Sequence, residues 1–212
     1  MRPLFTRMYD LLRGMEQNRI EDYLTEIFSP ILQREQWLGS FLTRFLDANF
    51  TSVSHVSIFT QRTYAKLPHH SVDSRPDLVV TFQHNNQSHI LFIENKVGSH
   101  EGESQLSRYA DHLKEHLKNG YKVHLLYITM HYEPKDAHTI LEPVNGSGFV
   151  QTRWFDVYNW LELYRKDLYC SQVLEYMEEL QLNRSRRFTP IDIYAIQNAQ
   201  RLQTMLDETF VM

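Results

Sequence analysis

The 212-residue chain has a single cysteine, Cys170, so no internal disulfide can staple it, and this fits a reducing compartment. Long apolar runs are missing. Stretches such as Leu125 to Met130 fall far short of the roughly 20 residues that a membrane-spanning helix needs. Arg2, Arg7, Asp10 and Arg13 break up the apolar residues of Met1 to Gly14, which excludes a signal peptide there. These absences predict a soluble, cytoplasmic protein without membrane contact. Glycine-rich phosphate loops are also missing, since neither GxxxxGKS/T nor GxGxxG occurs, and no ATPase is visible. Positive charge is not in excess: 22 Lys and Arg face 26 Asp and Glu, for a formal charge of −4. No global field advertises a polyanion partner, although a local basic stripe can do that work. Repeats and low-complexity tracts are absent.

What is present is globular composition, with 42% hydrophobic residues and only seven Gly and seven Pro. At this length folding buries roughly 70% of the unfolded chain's surface, so the core needs no staples. Apolar residues at helical spacing predict a helix over about Asn18 to Gln33 and another from Trp37 to Leu46. Val53 to Tyr64 alternates and is rich in β-branched residues, which predicts a first strand. Asp77 to Gln83 and His89 to Val97 read as two strands of a hairpin turned at His84-Asn85-Asn86-Gln87. Their near-continuous apolar character suggests the middle of a sheet. A helix carrying Leu106, Tyr109, Ala110, Leu113 and Leu117 stops at Asn119-Gly120, and Tyr121 to Met130 is another buried strand. A short strand near Phe149 to Phe155 precedes helices from about Val157 and through Met177 to Leu182. Thr189-Pro190 and Asp192 open a last helix that runs to about Glu208. The expected class is α/β with a mixed central sheet.

The chemistry concentrates in Arg75-Pro76-Asp77, then sixteen residues, then Glu94-Asn95-Lys96. Strand alternation points Glu94 and Lys96 to one face, and Asp77 opens the neighbouring strand beside them. Two carboxylates and one ammonium therefore converge at the end of a buried hairpin. Hard divalent cations such as Mg²⁺ take oxygen ligands of this kind, and a lysine beside the metal can orient a water or stabilise charge. The plainer reading is a Glu94–Lys96 ion pair at a strand's solvent end. Against it stands the apolar run in front, because ionisable groups there must be paired, liganded or functional. Gln105 and Tyr109, at i and i+4, share a helix face and could hold a phosphate or a water; a helix-surface hydrogen bond is the plainer alternative. On the first helix Glu21 lies about 70° from the centre of the apolar stripe and Glu26 about 150° away. Glu21 is then the acid that reaches inward, and Glu26 faces solvent.

The segments NRIEDYLTEIFSPIL (Asn18 to Leu32), RPDLVV (Arg75 to Val80), FIENKVGS (Phe92 to Ser99) and QLSRYADHL (Gln105 to Leu113) together resemble the PD-(D/E)XK nuclease superfamily. They are most similar to its bacterial branch with an ENK core and a QxxxY helix. The resemblance covers about Asn18 to Trp160. It implies a restriction-endonuclease-like αβββαβ core with additional helices at both termini, in one domain over 1–212 whose helical extension begins near 161. It further implies hydrolysis of nucleic-acid phosphodiesters, with Mg²⁺ as cofactor and Mn²⁺ as its substitute. Asp77 and Glu94 become metal ligands, joined by the backbone carbonyl of Asn95, and Lys96 becomes the catalytic lysine. Glu21 becomes the helical acid, a further metal ligand or water contact, with Gln105 and Tyr109 the accessory pair.

Other groups carry weaker signals. His112 and His116 have zinc-compatible i, i+4 spacing but no third ligand in view. His69-His70 sits in a polar loop, either solvated or near the site. Cys170 reads as a buried thiol. Arg184, Arg186 and Arg187 are candidate phosphate contacts, or a solvated connector before the last helix. The expected partner is nucleic acid, DNA by default, and a homodimer or an activating protein partner is compatible with the charge. The alternatives to catalysis are a nuclease fold kept as a non-catalytic binding or assembly module, and a partner-activated defence effector.

Overall fold

Leu78–His84 (β2) and Gln87–Lys96 (β3), rich in β-branched and aromatic residues, form an antiparallel hairpin inside a five-stranded sheet. The computed structural model describes residues 20–46, 48–131, 133–141 and 148–184, with a few positions between 194 and 205. Asn85 and Asn86, at φ +50° and +59°, make the two-residue turn, and the ladder closes at His84 opposite Gln87. Positive φ at both positions is what a type I′ turn requires, and asparagine tolerates it. Ser54–Thr60 (β1) pairs antiparallel with β2 at one edge. On the other side Lys122–Thr129 (β4) and Gly148–Arg153 (β5) continue the sheet in parallel, so the spatial order is β1-β2-β3-β4-β5.

Side chains of β3 leave alternately to two layers. Leu91 and Ile93 pack into the larger core with the helices Ile20–Leu32 (α1), Glu35–Phe45 (α2), Trp154–Leu161 (α5) and Leu168–Glu179 (α6). There Phe28 of α1 meets Phe41, Trp154 and Trp160 edge to face, at centroid distances of 6.0, 5.7 and 6.4 Å. Removing such a ring costs about 3–5 kcal/mol. Ile90 and Phe92 face the other way, onto Leu106, Tyr109, Ala110 and Leu113 of Gln105–Lys118 (α3). Helix α3 is the crossover that parallel pairing of β3 and β4 demands. It ends on Gly120, at φ +85°, where the Gly120 N–H reaches Leu117 O and the Tyr121 N–H reaches His116 O, satisfying carbonyls the helix leaves open.

The fold is the mixed α/β sheet with flanking helices expected of a restriction-endonuclease-like protein. Its departures from the sequence reading are local. The first strand ends at Thr60 rather than Tyr64, and the chain returns to antiparallel pairing only at a Tyr64–Ser74 bridge. A short helix, Ala137–Ile140 (α4), capped by the Asp136 side chain, was not expected, and α5 starts at Trp154, directly on the end of β5. Glu26 is buried at 6% exposure, not solvated. Helix α1 is enclosed by α2, β1, β3 and α6, so it has no single apolar stripe from which to measure an outward face. Arg186, Arg187, Thr189-Pro190 and Asp192 lie outside the described residues. Among the described residues no helix is long and apolar enough to cross a membrane.

Candidate active site

The β2–β3 ladder pairs Leu78 with Ile93, and two further steps in the same register set Asp77 opposite Glu94 and then Pro76 opposite Asn95. Proline has no N–H, so the ladder cannot continue there. The Asp77 side chain takes over: its Oδ2 accepts from the Asn95 backbone N–H at 2.8 Å and from Asn95 Nδ2 at 2.8 Å. The second amide proton of Asn95 goes to Thr25 Oγ1 at 2.7 Å, and Thr25 donates to the Glu21 carbonyl at 2.8 Å. Asn95 thus points into the α1 layer, while Glu94 and Lys96 point toward α3.

Glu94 is buried at 2% exposure, and its Oε1 accepts from Lys96 Nζ and from Gln105 Nε2, both at 2.7 Å. Gln105 spends its other amide proton on Tyr109 Oη at 2.8 Å, and its Oε1 accepts from Gly102 N–H at 3.1 Å. The Tyr109 hydroxyl lies 2.8 Å from the Arg75 carbonyl and 3.1 Å from Glu94 Oε2. Its one proton is shared between these two acceptors, so Oε2 holds at most this one donor. On each acid, then, one oxygen is loaded with donors, and Asp77 Oδ1 and Glu94 Oε2 keep acceptor capacity.

Burial and the neighbouring Glu94 charge push the Asp77 carboxyl well above its usual range, and burial raises Glu94 as well. Burial alone would lower Lys96, but the Glu94 charge and hydrogen bond outweigh it and hold the ammonium protonated. One cation set against two buried carboxylates leaves an anionic corner made of oxygen donors. A hard divalent metal fits that donor set, with Asp77 Oδ1 and Glu94 Oε2 as its available ligands.

Glu21 approaches the same strand end from α1. Its Oε1 accepts from the backbone N–H groups of Val97 at 2.7 Å, Ser99 at 3.2 Å and Gly98 at 3.3 Å, and the Ser99 hydroxyl lies 2.8 Å from both carboxylate oxygens. Burial pushes its pKa up, but these bonds outweigh that and lower it. Glu21 therefore holds the loop that leaves β3. Thr25, Ser99 and the Arg75 carbonyl had no role in the sequence reading, although Ser99 lies within the quoted FIENKVGS run. Tyr127 was missed too: it is Glu94's register partner on β4, fully buried, with a hydroxyl that has no partner among the described residues.

The remaining candidates fall elsewhere. His112 and His116 pack against the Tyr64 ring, with centroids 5.3 and 6.1 Å away. His84, Asn85 and Asn86 form the hairpin turn, as the sequence reading has it. Cys170 is buried on α6, and burial pushes its thiol up to about 11, which keeps it inert. Arg184 is exposed beyond α6.

The comparison to protein families agrees with this fold. The chain belongs to the PD-(D/E)XK nuclease superfamily, whose family model matches residues 16–185. No curated protein and no solved structure matches the chain. Family membership makes this a nuclease-type protein, of a kind that acts with divalent metals on nucleic acid.

Proposed function

We propose that this chain is a Mg²⁺-dependent DNA endonuclease, with Asp77, Glu94 and the Asn95 carbonyl holding the metal. The observation that carries the reading is the pair of buried acids, each with one oxygen that takes two donors and the other with acceptor capacity left, beside a protonated lysine. Mg²⁺ bound there supplies Lewis-acid polarisation of the scissile phosphate. Lys96, protonated and fixed 2.7 Å from Glu94, serves as a donor to the attacking water or to charge growing on the phosphate, rather than as a base. Gln105 orients Glu94, and Tyr109 fixes Gln105 to the Arg75 carbonyl, so both act as positioning residues. Glu21 shapes the Val97–Ser99 loop, and its Oε2 supplies a water contact. DNA as substrate rests on the family, and a cytoplasmic setting on the lone Cys170 thiol.

The test is cleavage of plasmid, linear duplex, single-stranded DNA and RNA with Mg²⁺, Mn²⁺ or EDTA, comparing wild type with Lys96→Ala and Asp77→Ala. Metal-dependent cutting of DNA that both variants lose is the expected result. Cutting of RNA alone would move the substrate class. A folded wild type that binds metal and cuts nothing would point to an activating partner. One that neither binds metal nor cuts would leave a non-catalytic module.

A further inference from the structure

Away from Glu94, the Leu67–His70 turn, closed by the His70 N–H on Leu67 O at 2.9 Å, sends two consecutive imidazoles to α3. His69 Nε2 and His70 Nε2 approach the same oxygen, Asp111 Oδ2, at 3.0 and 3.1 Å, and the three ligand atoms lie within 4.8 Å of one another. Asp111 Oδ1 is taken by Lys114 Nζ at 2.8 Å, so a single carboxylate faces three donors. Zinc bonds of about 2.0–2.2 Å in tetrahedral geometry would set ligand atoms roughly 3.3 Å apart, a few tenths of an ångström from the two distances at Asp111 Oδ2. His70 has a side chain only 4% exposed, and its Nδ1 has no partner among the described residues. His112, whose ring is 5.5 Å from that of His70, is likewise buried with an unpartnered Nε2. The corner is rich in imidazole nitrogen, and the two Nε2 atoms that converge there share a single carboxylate oxygen. A cleft of about 480 Å³ lined by His69, His70, Ser104, Ser107, Arg108 and Asp111 opens onto it.

We propose that His69, His70 and Asp111 bind a transition-metal ion, zinc foremost, through the two Nε2 atoms and Oδ2, with water from the cleft in the fourth position. Two nitrogen donors select zinc over magnesium, so this site is chemically distinct from the all-oxygen corner at Asp77 and Glu94. Lys114 stays on Oδ1 and orients the carboxylate. The position gives the ion a structural role. Asp111 lies two residues beyond Tyr109 on α3, and His70 five residues before Arg75, whose carbonyl Tyr109 holds. Zinc here clips the segment leading into Asp77 onto the helix that carries Gln105 and Tyr109.

The experiment is titration of the metal-free chain with ZnCl₂, with MgCl₂ in parallel, in wild type, His69→Gln, Asp111→Asn and Asp77→Asn. Calorimetry should count one zinc per chain, and zinc at about 100 times its Kd should raise Tm by roughly 5–10 °C. Zinc should also slow amide exchange over residues 65–75. His69→Gln and Asp111→Asn should lose these responses while Asp77→Asn keeps them. His69 is 63% exposed, so its replacement leaves the core intact and a lost response there reports on the ligand. No zinc binding by wild type would overturn the proposal. So would a response of equal size in His69→Gln and Asp111→Asn, or one lost only in Asp77→Asn.

Discussion

At the start of β3, the ring of His89 lies edge to edge with that of His124 of β4, their centroids 5.3 Å apart and planes 1° from parallel, and Phe82 stacks on the face of His89 at 4.8 Å. At the finish of the same strand, Glu94 lies beside Asp77 with Lys96 as the nearest cation. Both ends bury titratable groups, and they resolve the burial differently. The histidines give up their charge: burial pulls His89 down to about 4 and His124 to about 3, and a 3.0 Å hydrogen bond between their ring nitrogens uses one N–H and one lone pair. That hydrogen bond joins two of the protein's own groups. The acid end differs, because its carboxyls are pushed up yet still present oxygens with acceptor capacity left over. Burial of ionisable groups marks a site where acceptor capacity is left over, and mere packing where it is used up.

The largest effect should come from Lys96→Ala, which removes the one cation at the acid end and should cut the cleavage rate about 10²–10⁴-fold while circular dichroism stays unchanged. Asp77→Asn should be as inactive, yet raise the Tm of the metal-free protein. A carboxyl whose folded pKa is raised binds protons more tightly folded than unfolded, so its ionisation above the ordinary value of 3.8 costs stability. The histidine end has the reverse sign. With folded pKa values below the ordinary 6.5, its contribution is complete above pH 6.5 and drains away as pH falls toward 4 and 3. Urea melts across that window should show a loss of several kcal/mol that His124→Phe flattens in part, since His89 keeps its own burial. An unflattened loss would break the comparison.

Smaller effects sharpen it. Tyr109→Phe removes the hydroxyl shared by Gln105 and the Arg75 carbonyl, and should cost about 1 kcal/mol of stability and about tenfold in rate, read by thermal melts and single-turnover cleavage. Ser99→Ala removes one of several donors on Glu21 and should cost only about 0.5 kcal/mol in the same melts, with Glu21 still held by three backbone N–H groups.

Much of this arrangement is readable along the chain because it is built from short-range pattern. Two apolar runs, β2 and β3, with an Asn-Asn turn between them set the register, and the register alone brings Asp77 to Glu94. The i, i+4 spacing of Gln105 and Tyr109 likewise survives into one hydrogen-bonded pair. What the pattern hides depends on distant partners. Glu26 is buried because elements from three parts of the chain close around α1, and His69 and His70 meet an Asp111 some forty residues away. Glu21 reaches the strand end, but which of its oxygens remains available is decided by the Val97–Ser99 loop, whose path no periodicity encodes.

Asn95 sits between two residues that face α3 and itself faces α1, where Thr25 receives its amide. The same amide and its backbone N–H grip Asp77. The acid proposed to hold the metal is thereby bolted through the thickness of the sheet, from one helical layer toward the other. Its placement inherits the stiffness of the whole sandwich, not of a loop, so the proposed metal site is preorganised before anything binds.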